Sequence, residues 1–489
     1  MRPYATTRER VAPPSRTRPE QGRERSSARQ LVRPAPFGAR GAYAFAYERV
    51  LWPTWQRIVN GRAIFDRLSF LEATEWRTPQ ELEALQVEQL RALLGYAGTH
   101  VPYYRELFAK VHFDPRSVRQ RKDLEQIPLL SRDTVRERYA DLVDPAHQGQ
   151  NHKKGTSGST GAPLQFEYSN ESESWRQAIR LRGYRWAGYR PGLPTLFYWP
   201  EGIVQTGLRH AKTELDRALR RETYEDPLLH DPASLDRVIS AVRRMRPNVI
   251  VGYTQALVLL ARHVEERGAR DWDDIPVICG AEAVLPGDRE VLGRVFGPEI
   301  FETYGSRETM MVASECCAHD GMHIAEENVV VELVDVDGAC SPGDAGDVAV
   351  TDLHNFGMPL IRYVNGDVAV MDGRGICACG RGLRRLARLE GRRSDTLRDA
   401  YGNAIPGMTF HALFVQREDV VRRFQAVQRA TGDVELRIVR GTAWSEKTFE
   451  PIVGRLRSYL RGLPLSVLYV DEIPPSASGK YRPIVAEHV

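Results

Sequence analysis

The sequence predicts an α/β protein with a large N-terminal domain of mixed sheets and helices over residues 41–395, a small α+β domain over 396–489, and a disordered basic tail over 1–40. Three observations carry this. The chain is 489 residues long, too long for one compact core. Apolar, β-rich runs alternate with helical patterns through its middle. After Asp395 that alternation ends, and a new, shorter one begins.

The tail holds ten Arg against three Glu among repeated Pro and Ser, with too little apolar surface to offset the entropy of ordering. It carries +7 of a chain whose net charge is +4, which leaves the remainder at −3. The folded part is therefore not basic, and nucleic acid is not an expected partner of it. Next, Thr78-Pro79-Gln80-Glu81 is a capping box with Pro at the first helical position. Leu82, Leu85, Leu90, Leu93 and Leu94 follow at helical spacing and form a core-facing stripe.

Strands are expected at 195–199, 249–252, 277–280, 329–334 and 347–351, as apolar runs buried on both faces. The last two are separated only by turn-rich Asp-Gly and Pro-Gly-Asp segments, which predicts antiparallel pairing. In the small domain, a helix is expected around 409–415, a strand at 434–439, a helix at 446–460 and a strand at 466–470. No apolar run is long enough to cross a membrane: the best, 249–264, is interrupted by Gly252, Thr254, Gln255, Arg262 and His263. There is no apolar leader, so a cytoplasmic protein without a membrane partner is expected.

The segment Lys153-Lys154-Gly155-Thr156-Ser157-Gly158-Ser159-Thr160-Gly161-Ala162-Pro163-Leu164 concentrates glycines and hydroxyls behind two lysines. Glycines let backbone N–H groups converge on an anion and hydroxyls add donors, which points to phosphate binding. It is not a Walker loop, because Ala162-Pro163 stands where Lys and Ser/Thr would be needed.

This string resembles the phosphate-loop signature of the adenylate-forming superfamily, which includes acyl-CoA synthetases, luciferases and nonribosomal adenylation domains. Further matches follow in that family's order. Gly280-Ala281-Glu282 resembles its adenine-contacting segment, and Tyr304-Gly305-Ser306-Arg307-Glu308 its Tyr-Gly-x-x-Glu motif. Thr351-Asp352-Leu353 through Gly366-Asp367 resembles the segment ending in the ribose-binding Asp. Gly391-Arg392 with Asp395 resembles the hinge motif, and Ser478-Gly479-Lys480 the segment of the catalytic lysine. His100-Val101-Pro102-Tyr103-Tyr104 and Ile127-Pro128-Leu129-Leu130 are similar to the phenylacetate-CoA ligase-like branch in particular.

The resemblance implies a large ATP- and acid-binding domain and a mobile C-terminal domain swinging about Asp395. It implies a phosphate loop at Thr156, Ser157, Gly158, Ser159, Thr160 and Gly161, Tyr304 against adenine, and Asp367 on the ribose assisted by Arg392. Glu308 would hold Mg²⁺, and Lys480 would bridge carboxylate and α-phosphate oxygens. Attack of one anion on another rests on positioning and cationic stabilisation, and a compact lysine charge among only seven lysines and 61 arginines suits that role. The family pattern is broken in two places. Ser306-Arg307 adds a positive charge near the acyl-phosphate site, whereas Ala281 in place of a second glycine is expected to be harmless to adenine binding.

Cys316-Cys317-Ala318-His319 with His323, and Cys377-Ala378-Cys379, form two short thiolate and imidazole clusters about sixty residues apart. The pattern predicts a structural Zn²⁺ bound by Cys377, Cys379, one of Cys316 or Cys317, and one of His319 or His323. Cys279 and Cys340 stand apart.

Trp199, Tyr253, Gly280 and Tyr304 are the expected acid-pocket residues, and their aromatic character suits a flat aryl or arylacetic acid. Arg384, Arg385, Arg388 and Arg393 are the candidate contacts for CoA. The implied function is an AMP-forming ligase that activates a small carboxylic acid with ATP and passes the acyl group to CoA. The rival within the family delivers it to an amine or a carrier-protein thiol. A zinc-bearing nucleic-acid-binding protein is the reading from another class, and the retention of Lys480, Glu308 and Asp367 speaks against it.

Overall fold

The register of a mixed β-sheet brings together residues far apart in the sequence. The computed structural model describes residues 39–58, 60–155, 164–199, 208–227, 229, 231–335, 338–392, 397–400, 404–405, 410, 413–414, 417, 419–474 and 481–487. Among these, twelve strands form one sheet. Its parallel half runs Glu222–Glu225, Thr195–Tyr198, Val249–Tyr253, Val277–Gly280 and Ile300–Ser306. Its antiparallel half continues through Met310–Glu315, Met322–Ile324, Arg385–Arg392, Tyr363–Met371, Ala345–Asp352, Val329–Asp335 and Gly338–Ala339. Ile300–Ser306 belongs to both halves, parallel to one neighbour and antiparallel to the other. The sheet thus changes character where the Tyr-Gly-x-x-Glu segment lies.

The expected strands lie within one or two residues of their observed limits. The predicted antiparallel pair is present, with Val330 opposite Thr351 and Leu333 opposite Val348. The capping box also forms: Thr78 N–H donates to Glu81 Oε2 at 2.8 Å, and Glu81 N–H donates to Thr78 Oγ1 at 3.3 Å. That helix, Pro79–His100, buries Leu82, Leu90, Leu93 and Leu94, but Leu85 is only half-buried. Its place in the stripe is shared by Gln86, whose amide donates to the carbonyls of Glu326 and Val329.

From residue 397 onward the described residues build a four-stranded sheet in the order Leu465–Tyr469, Val434–Arg440, Val421–Gln428, Ile484–Ala486, covered by the helix Glu446–Leu460. The predicted helix at 409–415 lies mostly outside the described residues. Arginine-rich composition concealed several strands from sequence reading, among them Arg385–Arg392 and Val421–Gln428.

The helix Asn170–Trp186 was concealed in the same way. It has few long apolar residues, yet it buries Arg176 and Arg182. Gly183 lets it lie directly on the strand Met310–Glu315, because a Cβ there would fall 2.3 Å from Ser314 Oγ. Each buried guanidinium has an acidic partner: Arg182 reaches Glu327 at 2.6 Å and Arg176 reaches Asp352 at 2.9 Å. Arg176 also donates to the main-chain oxygen of Glu308 and lies 4.4 Å over the Tyr168 ring. Burial pushes the Asp352 carboxyl upward, and the Arg176 charge opposes that shift. Removing the guanidinium leaves this carboxylate buried without its partner. Arg176→Met is therefore expected to lower unfolding free energy by about 3–5 kcal/mol, with partial recovery on adding Asp352→Asn, as read by chemical denaturation.

Candidate functional site

In a parallel sheet the carboxyl ends of the strands open onto a crevice suited to ligands. Here those ends carry Tyr253, Gly280 and the segment from Tyr304 to Ser306, with Trp199 directly after its strand. The Trp199 and Tyr253 rings meet edge to face, 4.6 Å between centroids. A Cβ on Gly280 would come within 3.3 Å of the Trp199 ring and 3.1 Å of Thr303 Oγ1, so glycine permits this close packing. Three of the four expected acid-pocket residues, Trp199, Tyr253 and Gly280, thus form one surface.

Ala281 has φ +68°, a left-handed conformation that an L side chain adopts at a cost of about 1–2 kcal/mol. The cost of alanine here falls on the backbone. Glu282 acts at a helix end: its carboxylate accepts from Gln255 N–H at 3.0 Å, and its carbonyl accepts from Thr254 Oγ1 at 2.8 Å. It secures the start of the helix Thr254–Glu266 beside the crevice.

The fourth pocket residue, Tyr304, heads a polar cluster. Its hydroxyl donates to Asp367 at 2.9 Å and accepts from Asn365 Nδ2 at 2.7 Å. Burial, with Asp367 beside it, holds that hydroxyl well above its ordinary pKa, so it stays a donor. Asp367 also faces Arg392, with the Nε 3.3 Å from Oδ1, because the two residues are paired across neighbouring strands. The structure therefore joins Tyr304, Asp367 and Arg392, which are widely separated in sequence. Asn365 was missed by the sequence reading. Its signal was available in strand alternation, since Tyr363, Asn365 and Asp367 stand at every second position.

Glu308 lies in the turn between Ile300–Ser306 and Met310–Glu315, and its side chain is 4% exposed. The Tyr363 hydroxyl donates to Glu308 Oε1 at 2.9 Å, and Arg132 stands 4.0 Å away. Ser306 Oγ accepts from Thr309 N–H at 3.2 Å and closes the turn. A Cβ on Gly305 would fall 1.8 Å from the Met310 carbonyl oxygen, so glycine is required for this turn to pack. One carboxylate here suits Mg²⁺, a hard cation that takes its remaining ligands from phosphate and water.

Arg307 donates to the Gly155 carbonyl at 2.9 Å, which ties the Glu308 turn to the residue that precedes the Gly/Ser/Thr run. Lys153 pairs with Glu167 at 3.2 Å in the strand pair that flanks this run. Thr156, Ser157, Gly158, Ser159, Thr160 and Gly161 lie outside the described residues, as do Asp395 and Lys480.

The thiolate and imidazole clusters converge beside this half of the sheet. Cys316, His323, Cys377 and Cys379 are all buried, with ligand atoms within 4.8 Å of one another. Thiolates about 2.3 Å from a tetrahedral zinc stand about 3.8 Å apart. Cys316 Sγ and Cys377 Sγ are 3.8 Å apart, and Cys379 Sγ is 3.3 Å from His323 Nε2. His323 Nδ1 faces the Leu383 carbonyl at 3.1 Å, leaving Nε2 for the cluster. Of the two open choices, the structure groups Cys316 and His323, not Cys317 or His319, with Cys377 and Cys379. The His319 ring lies near Glu315 and Glu299 and against Phe301.

The expected CoA contacts fare differently. Arg384 is engaged with Glu326 at 2.6 Å and Arg385 with Asp372 at 2.5 Å, so both serve the fold. Arg388 pairs with Glu390 at 2.7 Å, and Arg393 lies outside the described residues.

The family described as the CapK C-terminal domain matches residues 397–487. The chain is 28% identical over 369 residues to a phenylacetate-coenzyme A ligase of Thermus thermophilus, covering 73% of this chain and 80% of that protein. An Escherichia coli protein of the same name is 26% identical over 338 residues, covering 67% and 75%. Among solved structures, 2-hydroxyisobutyryl-CoA ligase in the postadenylation state with R3-HIB-AMP is similar with a TM-score of 0.68 at 20% identity, over 84% of this chain and 91% of that one. The same ligase with 2-HIB-AMP and CoA in the thioesterification state gives 0.57 at 19% identity, over 85% and 91%.

Replacing Ala281 by glycine relieves the left-handed strain but adds freedom to the unfolded chain. Ala281→Gly is expected to be more stable by roughly 0.5–1 kcal/mol, seen as a higher thermal midpoint.

Proposed function

We infer that this chain is a member of the phenylacetate-CoA ligase-like branch of the adenylate-forming superfamily, an AMP-forming ligase that activates a carboxylic acid with ATP and transfers the acyl group to CoA. The observation that carries this reading is the hydrogen-bonded set of Tyr304, Asn365, Asp367 and Arg392 beside Glu308, at the carboxyl ends of the parallel strands. Three motif segments distant in sequence supply it.

In the first half-reaction an oxygen of the acid bonds to the α-phosphorus of ATP and the bond to pyrophosphate breaks. Asp367, held by Tyr304 and Arg392, accepts from the ribose hydroxyls. Residues 156–161 supply backbone N–H and hydroxyl donors to the phosphates, and Lys480 neutralises charge between carboxylate and α-phosphate. Mg²⁺, when bound with ATP, would be held at Glu308 and would offset phosphate charge there. In the second half-reaction the CoA thiolate attacks the acyl carbon and AMP departs, after the small domain turns about Asp395. The crevice formed by Trp199, Tyr253 and Gly280 supports a flat, aromatic acid.

The chemistry of Cys316, His323, Cys377 and Cys379 fits one Zn²⁺ with four protein ligands and no open position, hence a structural ion. It would fasten the turn after Glu315 to the segment before Arg385.

Acid-dependent pyrophosphate release from ATP tests the reading, with aryl, arylacetic and short aliphatic acids assayed with and without CoA. Release with at least one acid is expected, with acyl-CoA formed when CoA is present, and release should fall by about 100-fold or more in Lys480→Ala. Asp367→Asn should raise the KM for ATP by about tenfold. No release with any acid would overturn the assignment; release without acyl-CoA formation would move the acceptor to an amine or a carrier thiol. Separately, metal analysis should find one zinc per chain. Cys377→Ser is expected to lose most of it and to melt at lower temperature, while Cys317→Ser and His319→Ala retain it.

A further inference from the structure

Glu315 ends the strand Met310–Glu315 and directly precedes Cys316, yet it stands outside the cluster of Cys316, His323, Cys377 and Cys379. It is 4% exposed, and both carboxylate oxygens are engaged. Arg289 Nη2 donates to Oε1 at 3.2 Å and to Oε2 at 3.0 Å, and Glu302 N–H donates to Oε2 at 2.7 Å. The His319 ring faces Oε1 at 3.3 Å. Arg289 and Glu302 both lead to the segment that follows Gly280. Arg289 lies in the first turn of the helix Pro286–Phe296, and its N–H donates to the Leu285 carbonyl at 3.0 Å. Glu302 turns its own carboxylate to Val284 N–H, at 3.1 Å. One buried carboxylate thus secures, by two routes, the chain that leaves Ala281. On the other side of Ala281, the Cys279 carbonyl accepts from Thr303 Oγ1 at 2.8 Å. Ala281 itself has φ +68°. An L residue stays in that conformation only where its surroundings over-determine it, and here both flanks are tied.

We propose that Glu315 is a positioning residue for the adenine-contacting segment Gly280-Ala281-Glu282. Through Arg289 and Glu302 it keeps Ala281 left-handed, and so presents this stretch of backbone to the base in one conformation. Losing a hydrogen bond to a buried charged group shifts an equilibrium by about tenfold or more, which sets the size of the effect on nucleotide binding. The reacting groups lie elsewhere, so the acid and the chemical step are not touched. The inference rests on the reading of this segment as the adenine site of an AMP-forming ligase.

Glu315→Met removes both acceptor oxygens at similar length. With the acid that gives the fastest pyrophosphate release, its KM for ATP and its Kd for AMP by calorimetry are expected to rise at least tenfold. The kcat at saturating ATP, the KM for the acid and the metal content per chain should stay within twofold of the unaltered protein. Glu315→Gln keeps one oxygen able to accept from both Arg289 and Glu302 N–H, so its KM for ATP should rise by threefold at most. Adding Ala281→Gly to Glu315→Met should bring the KM for ATP back to within threefold, because glycine takes the left-handed conformation without being held. Arg289→Met cuts one of the two routes, should show the same pattern at smaller amplitude, and serves if Glu315→Met fails to fold. A KM for ATP within twofold in both Glu315→Met and Arg289→Met would overturn the positioning role and leave the ligase reading standing. Absence of recovery with Ala281→Gly would overturn it as well. Loss of kcat, acid affinity and metal together with a lowered thermal midpoint would make Glu315 a stability residue only. If the unaltered protein releases no pyrophosphate with any acid and binds no AMP, the ligase reading and the inference fall together.

Discussion

The guanidinium of Arg176, buried within the large domain, is the constraint on which the site depends. It holds Asp352 by a charged bond and the Glu308 main chain by a second one, from a helix lying on the strand that follows Glu308. A buried charge is tolerable only when paired, so the helix, the turn and the strand bearing Asp352 must arrive together. Once they do, Glu308 has one position. Arg307 extends the same turn toward Gly155, and Gly305 lets the hairpin close behind it.

A second constraint is the change of strand direction at Ile300–Ser306. The parallel side offers an open crevice at its strand ends, and the antiparallel side turns long strands back toward it. Tyr363, Asn365 and Asp367 come from one of those strands and Arg392 from the next. Hydrogen bonding therefore crosses the boundary between the two halves, and Tyr304 links them by receiving Asn365 and holding Asp367. The same return strands carry Cys377 and Cys379 toward Cys316 and His323, which places a compact polar cluster at the far end of the hairpin.

Arginine usage shapes this molecule throughout. With 61 arginines and seven lysines, the chain builds with guanidinium where apolar residues would otherwise be expected. Arg176 and Arg182 make a helix with few long apolar residues into a buried one, and Arg362 bonds the Ile127 carbonyl and Glu332 across the sheet. The guanidinium's planar set of donors satisfies several acceptors at once, which makes such burial sustainable. The two candidate CoA contacts at Arg384 and Arg385 belong to this structural use.

The sequence by itself determined the α/β class, the principal buried strands and the capping box. Each of these is a local property: apolar runs, turn residues and short spacings act on neighbours along the chain. It also supplied the six candidate metal ligands, but not the selection among them. Cys316 and Cys317 are adjacent in sequence and alike in chemistry, and only the packed strands decide which thiol meets Cys377. His323 over His319 was decided the same way, by strand pairing with Arg385. Asn365 and Arg176 depend on partners tens to hundreds of residues away, and a polar side chain carries no mark of a partner that distant. The left-handed backbone at Ala281 was likewise set by the fold, because alanine does not itself favour that conformation. Tertiary structure decided these points because burial leaves each polar atom only the partners that packing brings within reach.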